Sequence, residues 1–460
     1  MGIVALSFGG PTSGQGFDVS STVSQMVANL QSVETPWKNQ LSLLESQDSA
    51  VSTIGSDIST LSSALESLTD FEGVLSGKQG SSSDNNVLQL SSASSSSVAG
   101  THTVVVTSLA QTSSYVSTTL PAANAGDTLS GNLSVTVNGS AQTIDASGDT
   151  LATLASAINS GNYGFSANVI TDSSGSRLSL VSGTSGVAGD LTVSSTVEDS
   201  TTSSAISFTQ SQAGADAQLT VDGVQFSSSS NTVTSAIQGV TFQLLSAAPS
   251  ETVQVEITND NSAVETAVST FVSAYNTVLQ ALNGQEGDDA SGNAEPLYGN
   301  SIAATLQEDI EEALDFTQTS GAITSLTQLG VSVNNDGTLS LDTDTLDSTL
   351  NSNYSDVVNF FEPSGDFTSF GGNFSTVLNN AGDNAPNGLI YEFLAQNSAE
   401  ESNLNTEISN ENTSISAQQT QLTTELNEAN YTLTEIPQQL DNINEIYSAI
   451  TGYNENGSGA

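Results

Sequence analysis

The sequence has no cysteine. A disulfide framework and a thiolate metal site are therefore excluded. It has one histidine, His102, so a Ser-His catalytic pair would rest on a residue beside a strand-forming Thr/Val run. An edge or surface histidine is the expected reading. Basic residues are almost as scarce: three against fifty acidic ones, for a net charge of −47. Phosphate binding needs Lys and Arg, so DNA, RNA and anionic membranes are excluded as partners. Because charged residues make up only 12% of the chain, the imbalance reflects missing base more than surplus acid. Ser, Thr, Asn and Gln supply the solvated faces, as suits an exported protein or a salty or acidic habitat. Aromatics are 5%, which leaves cores to Val, Leu, Ile and Ala.

No apolar run reaches the roughly 20 residues of a membrane span, so no membrane insertion is expected. Met1–Gly16 lacks a basic region, and Ile3–Leu6 is too short for a signal peptide. Export without a cleaved signal is the expectation. No Asp/Glu pair stands apart from the acid background as a glycosidase would require. Asp288-Asp289 and the Asp342, Asp344 pair lack calcium-loop spacing. No catalytic residue, cofactor or metal ligand is assigned.

What the sequence does have is a long heptad seam at each end. Ile408, Ile415, Leu422, Ala429, Ile436, Ile443 and Ile450 form one column, with Leu426, Leu433, Leu440 and Tyr447 as the other. Near the N-terminus Val23, Leu30, Trp37, Leu44, Val51, Ile58 and Leu65 alternate with Met26, Val33, Gln40, Gln47, Ile54, Leu61 and Leu68. Alternating steps of three and four keep one face toward a partner, as in a coiled coil. Each seam spans roughly 69 Å at ~1.5 Å per residue. An antiparallel pairing with Val23 level with Ile450 also brings Pro36 level with Pro437. Since an internal proline kinks or ends a helix, a shared break is expected there, with mobile outer helices.

In chain order, 1–17 is Gly- and Ser-rich and expected to be disordered, and Asp18 or Ser20 can cap the first helix. The terminal segments 18–35 and 438–460 frame a helical rod domain of 36–78, 262–282 and 296–437, with a small hairpin at Asp336-Gly337 and an acidic loop at 283–295. Strand patterns from Val87 to Ile257, with hairpin signals at Asn138-Gly139 and Asp222-Gly223, make two β-rich domains. Residues 79–112 and 208–261 form one, and 113–207, with a short helix after Thr150, is inserted into it. The fold class is α+β multidomain: antiparallel terminal coiled-coil helices carrying two inserted β-rich domains.

Several stretches resemble one family. Gly16-Phe17-Asp18-Val19 before a heptad and Pro36 is similar to the start of the bacterial flagellar filament-capping family, flagellar hook-associated protein 2. Asp216–Val224, Ser229–Thr234, Gly239–Leu245 and Phe271-Val272-Ser273-Ala274-Tyr275-Asn276 resemble its middle. Leu329-Gly330-Val331, Asp336–Asp342 and Val357–Phe361 resemble its carboxy-terminal half. Phe17 stands where the family usually has Leu. The resemblance implies unfolded export through the flagellar type III channel, with an export chaperone, and a location outside the cell at the filament tip. It further implies a homo-oligomeric ring of about five copies that promotes flagellin insertion. The self-association and docking seam is then Val23, Met26, Leu30, Val33, Trp37, Leu440, Ile443, Tyr447 and Ile450, with Pro36 and Pro437 as hinges. A hook–filament junction protein, a flagellin, or an adhesin binding mucin or glycan are the alternatives.

Overall fold

In the computed structural model, residues 16–319, 321–362, 368–382 and 387–451 are described. The expectations for 1–15 and 452–460 lie outside these residues. The helices are α1 (Val19–Gln31), α2 (Thr35–Thr69), α3 (Leu151–Ser160), α4 (Asn261–Gly284), α5 (Ser301–Leu314), α6 (Thr343–Phe361), α7 (Phe370–Ala381) and α8 (Leu389–Thr451). The chain divides into two units, 1–66 with 269–460, and 67–268. Terminal helices with β-rich domains between them make the α+β multidomain class expected from the sequence.

In the first unit Asp18 caps α1, its carboxylate accepting the Ser21 N–H at 3.0 Å. That satisfies one of the donors a helix start leaves open. A 3₁₀ turn at Ser32–Glu34 separates α1 from α2. The break thus precedes Pro36, which sits in the first turn of α2, where a missing N–H forfeits no helical bond. Val51, Ile54, Ile58, Leu61 and Leu65 are buried along α2 in steps of three and four. Along α8 the buried residues include Ile390, Asn397, Leu404 and Ile415.

The seam period holds, but the register differs from the sequence expectation. Asn397 donates from Nδ2 to Asp48 Oδ1 at 2.6 Å, and Phe17 N–H donates to Asn430 Oδ1 at 2.8 Å. Val23 therefore lies level with about residue 422, four heptads from Ile450. A heptad pattern repeats under any slip of seven residues, so apolar spacing alone does not select among registers. The half-buried Asp48–Asn397 pair does, because a slip would leave the buried Asn397 amide without this partner. Pro36 and Pro437 do not share a height, and α8 continues through Pro437 with no interruption.

The base of this unit is aromatic. Phe271 of α4, Phe360 and Phe361 of α6, and Phe370 and Phe374 of α7 are all fully buried. Phe370 stacks on Phe360 with centroids 5.1 Å apart and meets Phe374 at 5.4 Å. Asn276 extends the packing to the hairpin Val331–Val333/Leu339–Leu341: its amide donates to Leu339 O at 2.9 Å and accepts from Leu339 N at 2.6 Å. Thr343–Phe361 is a single helix, α6, bent at Asn353 where φ is −136°.

In the second unit the outer β domain has a five-stranded antiparallel sheet. Its order is Lys78–Ser82, Val253–Asn259, Gly100–Ser108, Ala217–Val221, Val224–Ser228. A three-stranded sheet (Thr232–Ile237, Val240–Leu244, Leu88–Ala93) joins it around Val104, Val106, Leu219, Phe242 and Val255. The turn Asp222-Gly223 has φ of +49° and +82°, the left-handed pair that a two-residue hairpin needs. Strand structure begins at Lys78, earlier than Val87. Lys78–Ser82 has no apolar residue, so only its pairing with Val253–Asn259 makes it a strand.

The inserted domain has its own core of Leu133, Val135, Leu178, Leu180 and Ile206, packed by Leu151, Leu154 and Ile158 of α3. Thr150 caps α3 in a reciprocal box with Thr153.

Candidate assembly surface

The rod displays an apolar stripe that nothing among the described residues covers. With α1 beginning level with Asn430, the last turns of α8 have no described antiparallel neighbour. There Leu440 is 39% exposed, Ile443 59%, Tyr447 58% and Ile450 79%. Steps of three, four and three place these four on one face. Ile446 is exposed beside them and was not in the expected seam, because it falls between the two columns.

The remaining seam residues are placed otherwise. Val23 is buried, Met26, Leu30 and Trp37 are half-buried, and Val33 is 53% exposed. The structure thus brings the α1 column onto the middle of α8 and does not bring it to Leu440–Ile450. Sequence reasoning also missed Glu34, which is buried at the 3₁₀ turn with Lys38 Nζ 2.6 Å from its Oε2. An acid and a base four residues apart was the available signal.

That contact bears on the electrostatics of the whole chain, because every basic side chain is engaged internally. Besides Lys38, Lys78 donates to Asn259 Oδ1 at 3.0 Å, and Arg177 donates to Thr119 Oγ1 at 2.7 Å and lies 3.4 Å from Asp172. His102 Nδ1 is 2.7 Å from Asp222 Oδ2, while Asp222 Oδ1 accepts the Thr103 N–H at 2.8 Å. This carboxylate ties the hairpin turn to the strand carrying His102. Among the described residues no three His, Cys, Asp or Glu side chains are grouped to hold a metal, and no helix is long and apolar enough to cross a membrane.

Acidity has opposite effects in two places. Partial burial, then Asp48 and Glu45 nearby, raises the Glu401 carboxyl above its usual range at the α2–α8 crossing. In the second unit, hydrogen bonds to the carboxylates lower several aspartates: Thr103 N–H and then His102 for Asp222, the Thr202 hydroxyl first for Asp199, and Ser147 for Asp145. A raised acid contributes stability that is present below its unfolded pKa, about 4.3 for Glu, and lost as pH rises through the folded value. A lowered acid contributes stability that is present above its unfolded pKa, about 3.9 for Asp, and lost as pH falls through the folded value. Lowering pH toward about 4.3 is therefore expected to firm the α2–α8 crossing, and going lower to weaken the β unit. Asp145 and Asp222 are exposed and Glu401 is half-buried, so their effects are small, whereas Asp199 is enclosed. Hydrogen exchange across that range checks both signs. Protection around Asp48 and Asn397 that falls on mild acidification would contradict the first.

The comparisons match this architecture along most of the chain. A model of the flagellar hook-associated protein 2 C-terminus matches residues 214–449, one of its N-terminus matches 15–113, and a flagellin hook IN motif matches 134–184. The B-type flagellar hook-associated protein 2 of Pseudomonas aeruginosa is 30% identical over 376 residues, covering 75% of this chain and 78% of that protein. The flagellar hook-associated protein 2 of Escherichia coli K12 is 28% identical over 399 residues, covering 80% and 84%. Among solved structures, the D1-D2-D3 domains of the flagellar cap protein FliD from Escherichia coli align with a TM-score of 0.58 at 26% identity, covering 76% of this chain and 99% of that one. With helices, hairpins and aromatic base in place and the matches running from residue 15 to 449, the chain belongs to the flagellar hook-associated protein 2 family.

Proposed function

We propose that this chain caps the distal end of a bacterial flagellar filament as a homo-oligomer and promotes flagellin polymerisation there. The observation that carries the reading is the stripe Leu440, Ile443, Tyr447 and Ile450, which no described residue covers, on a helix that extends past its described partner. An exposed apolar row of this kind is a docking face for other helices. Copies of the chain and the filament tip are the surfaces it would meet. Segments 18–35 and 438–460 make these contacts, and the two β domains, one inserted in the other with Phe208–Gln212 paired in the inserted domain's sheet, form the plate of the cap. Pro437 leaves one helical hydrogen bond unmade at the foot of the free segment, so bending on docking concentrates there. The role is structural and assembly-directing, with no catalytic step. The chain reaches the tip by flagellar export without a cleaved signal, accompanied by a chaperone, and the ring holds about five copies.

Ile443→Glu with Ile450→Glu tests this. Both side chains are exposed, so the purified variant should unfold within about 0.5 kcal/mol of the parent. Cells carrying only the variant are expected to grow no filaments and to shed flagellin into the medium. Filaments of normal length would refute the reading.

A further inference from the structure

The two β domains have separate buried clusters, one around Leu133, Leu178 and Ile206 and the other around Val104, Leu219 and Val255. The two clusters share no residue, so apolar burial does not orient one domain on the other. Two connections cross between them, near Gln111 and near Ala215. These pair with each other: Gln111 N–H donates to Ala215 O at 2.7 Å and Ala215 N–H to Gln111 O at 3.2 Å. Two chain crossings with one bridge would ordinarily be a swivel.

Here the crossing is clamped by directional bonds from both sides. Asp216 divides its carboxylate between the domains. Its Oδ1 accepts the Val187 N–H of the inserted domain at 2.7 Å, and its Oδ2 accepts the Ser227 hydroxyl of the outer domain at 3.2 Å. Ser185 of the inserted domain donates to Ser229 O at 2.7 Å. Asn231 holds the exit of the first crossing as a strand would, accepting from Ala110 N at 2.7 Å and donating to Ala110 O at 3.0 Å. The approach is close enough to need glycine. Gly186 has φ +86°, and a Cβ there would lie 2.7 Å from Asp216 Oδ1.

We infer that the two β domains move as one rigid arm, and that Asp216 and Asn231 are the residues that set its angle. The physical reason is that hydrogen bonds are directional where apolar contact is not. A junction made of them at several non-collinear points has one orientation. This inference stands on the junction alone and does not require the capping role.

The absence of cysteine makes the test clean. Spin labels on Ser173→Cys, in the inserted domain, and Gln225→Cys, in the outer one, report their separation in the full-length chain by double electron–electron resonance. The parent is expected to give one narrow distance distribution. Asp216→Ala with Asn231→Ala should broaden it at least about twofold, since relative motion is the default for domains joined by small interfaces. Asp216→Asn retains an acceptor for Val187 and should keep the distribution narrow. Should the double variant not fold, Ser185→Ala removes only the Ser229 contact and is expected to broaden the distribution partway. A broad distribution in the parent, or an unchanged width in the folded alanine variants, would overturn the inference.

Discussion

Phe370→Ala in the intact chain is expected to lower the melting of the unit 1–66 with 269–460 while leaving that of 67–268 in place. Phe370 is fully enclosed and packs on four other phenylalanines: Phe360 at 5.1 Å, Phe374 at 5.4 Å, Phe361 at 6.0 Å and Phe271 at 6.1 Å. Removing a buried ring costs about 3–5 kcal/mol, from lost transfer energy and the cavity left behind. Each aromatic pair adds about 0.5–1.5 kcal/mol of its own. Against a total of about 5–15 kcal/mol for a domain, this is a large share. For a unit of this size the melting temperature should drop by roughly 10 °C. Differential scanning calorimetry separates the two units. Equal shifts of both transitions would mean that the aromatic base is not private to its unit, and no shift would mean that the ring is not its keystone.

That base shows what could and could not be read from the sequence. Val357-Val358-Asn359-Phe360-Phe361 and Phe271-Val272 were visible as motifs, and each lies on a buried helical face. Their meeting at Phe370 was not visible, because three helices separated by loops are brought together only by tertiary packing. The seams divide in the same way. Period seven is local, so α2 and α8 were legible from Val51, Ile54, Ile58 and Ile415. Register is not local. Apolar columns repeat, and what selects one alignment is a pair of polar residues, Asp48 and Asn397, that belong to no apolar pattern. The matched position of Pro36 and Pro437 followed from the assumed register and went with it.

The strands divide once more. Asp222-Gly223 and Asn138-Gly139 marked their hairpins because both turn positions need left-handed φ. Lys78–Ser82 carried no mark, since it is a strand only by virtue of its neighbour. Leu440, Ile443, Tyr447 and Ile450 were visible in the sequence as apolar positions at heptad spacing. That no described residue covers them depends on where α1 starts along α8, which spacing does not encode.

Raising salt is expected to strengthen self-association of this protein, the reverse of a ring held by ion pairs. Of the 50 acidic residues, 34 lie in 1–66 and 269–460 and 16 in 67–268, and the former unit has one basic residue, Lys38. Lys38 already faces buried Glu34, and Lys78 and Arg177 are likewise engaged within the chain. No basic side chain is left uncommitted to meet a carboxylate on a neighbouring copy. A ring of about five would gather charge on the order of −235, and like charge on a compact assembly opposes its formation. What attracts must then be apolar, and the exposed row Leu440, Ile443, Ile446, Tyr447 and Ile450 is available for it. Repulsion between exposed charges is screened over about 10 Å at 0.1 M salt and about 3 Å at 1 M. Apolar burial is not weakened by salt, and sulfate strengthens it. Lowering pH toward the carboxylate range near about 4 removes charge and acts in the same direction. Sedimentation velocity at 0.1 M and 1 M salt decides the sign. The Ile443→Glu, Ile450→Glu variant supplies the second arm, since it should stay monomeric at both. Larger species at low salt than at high would show that charge holds the copies together, and the apolar row would lose its role.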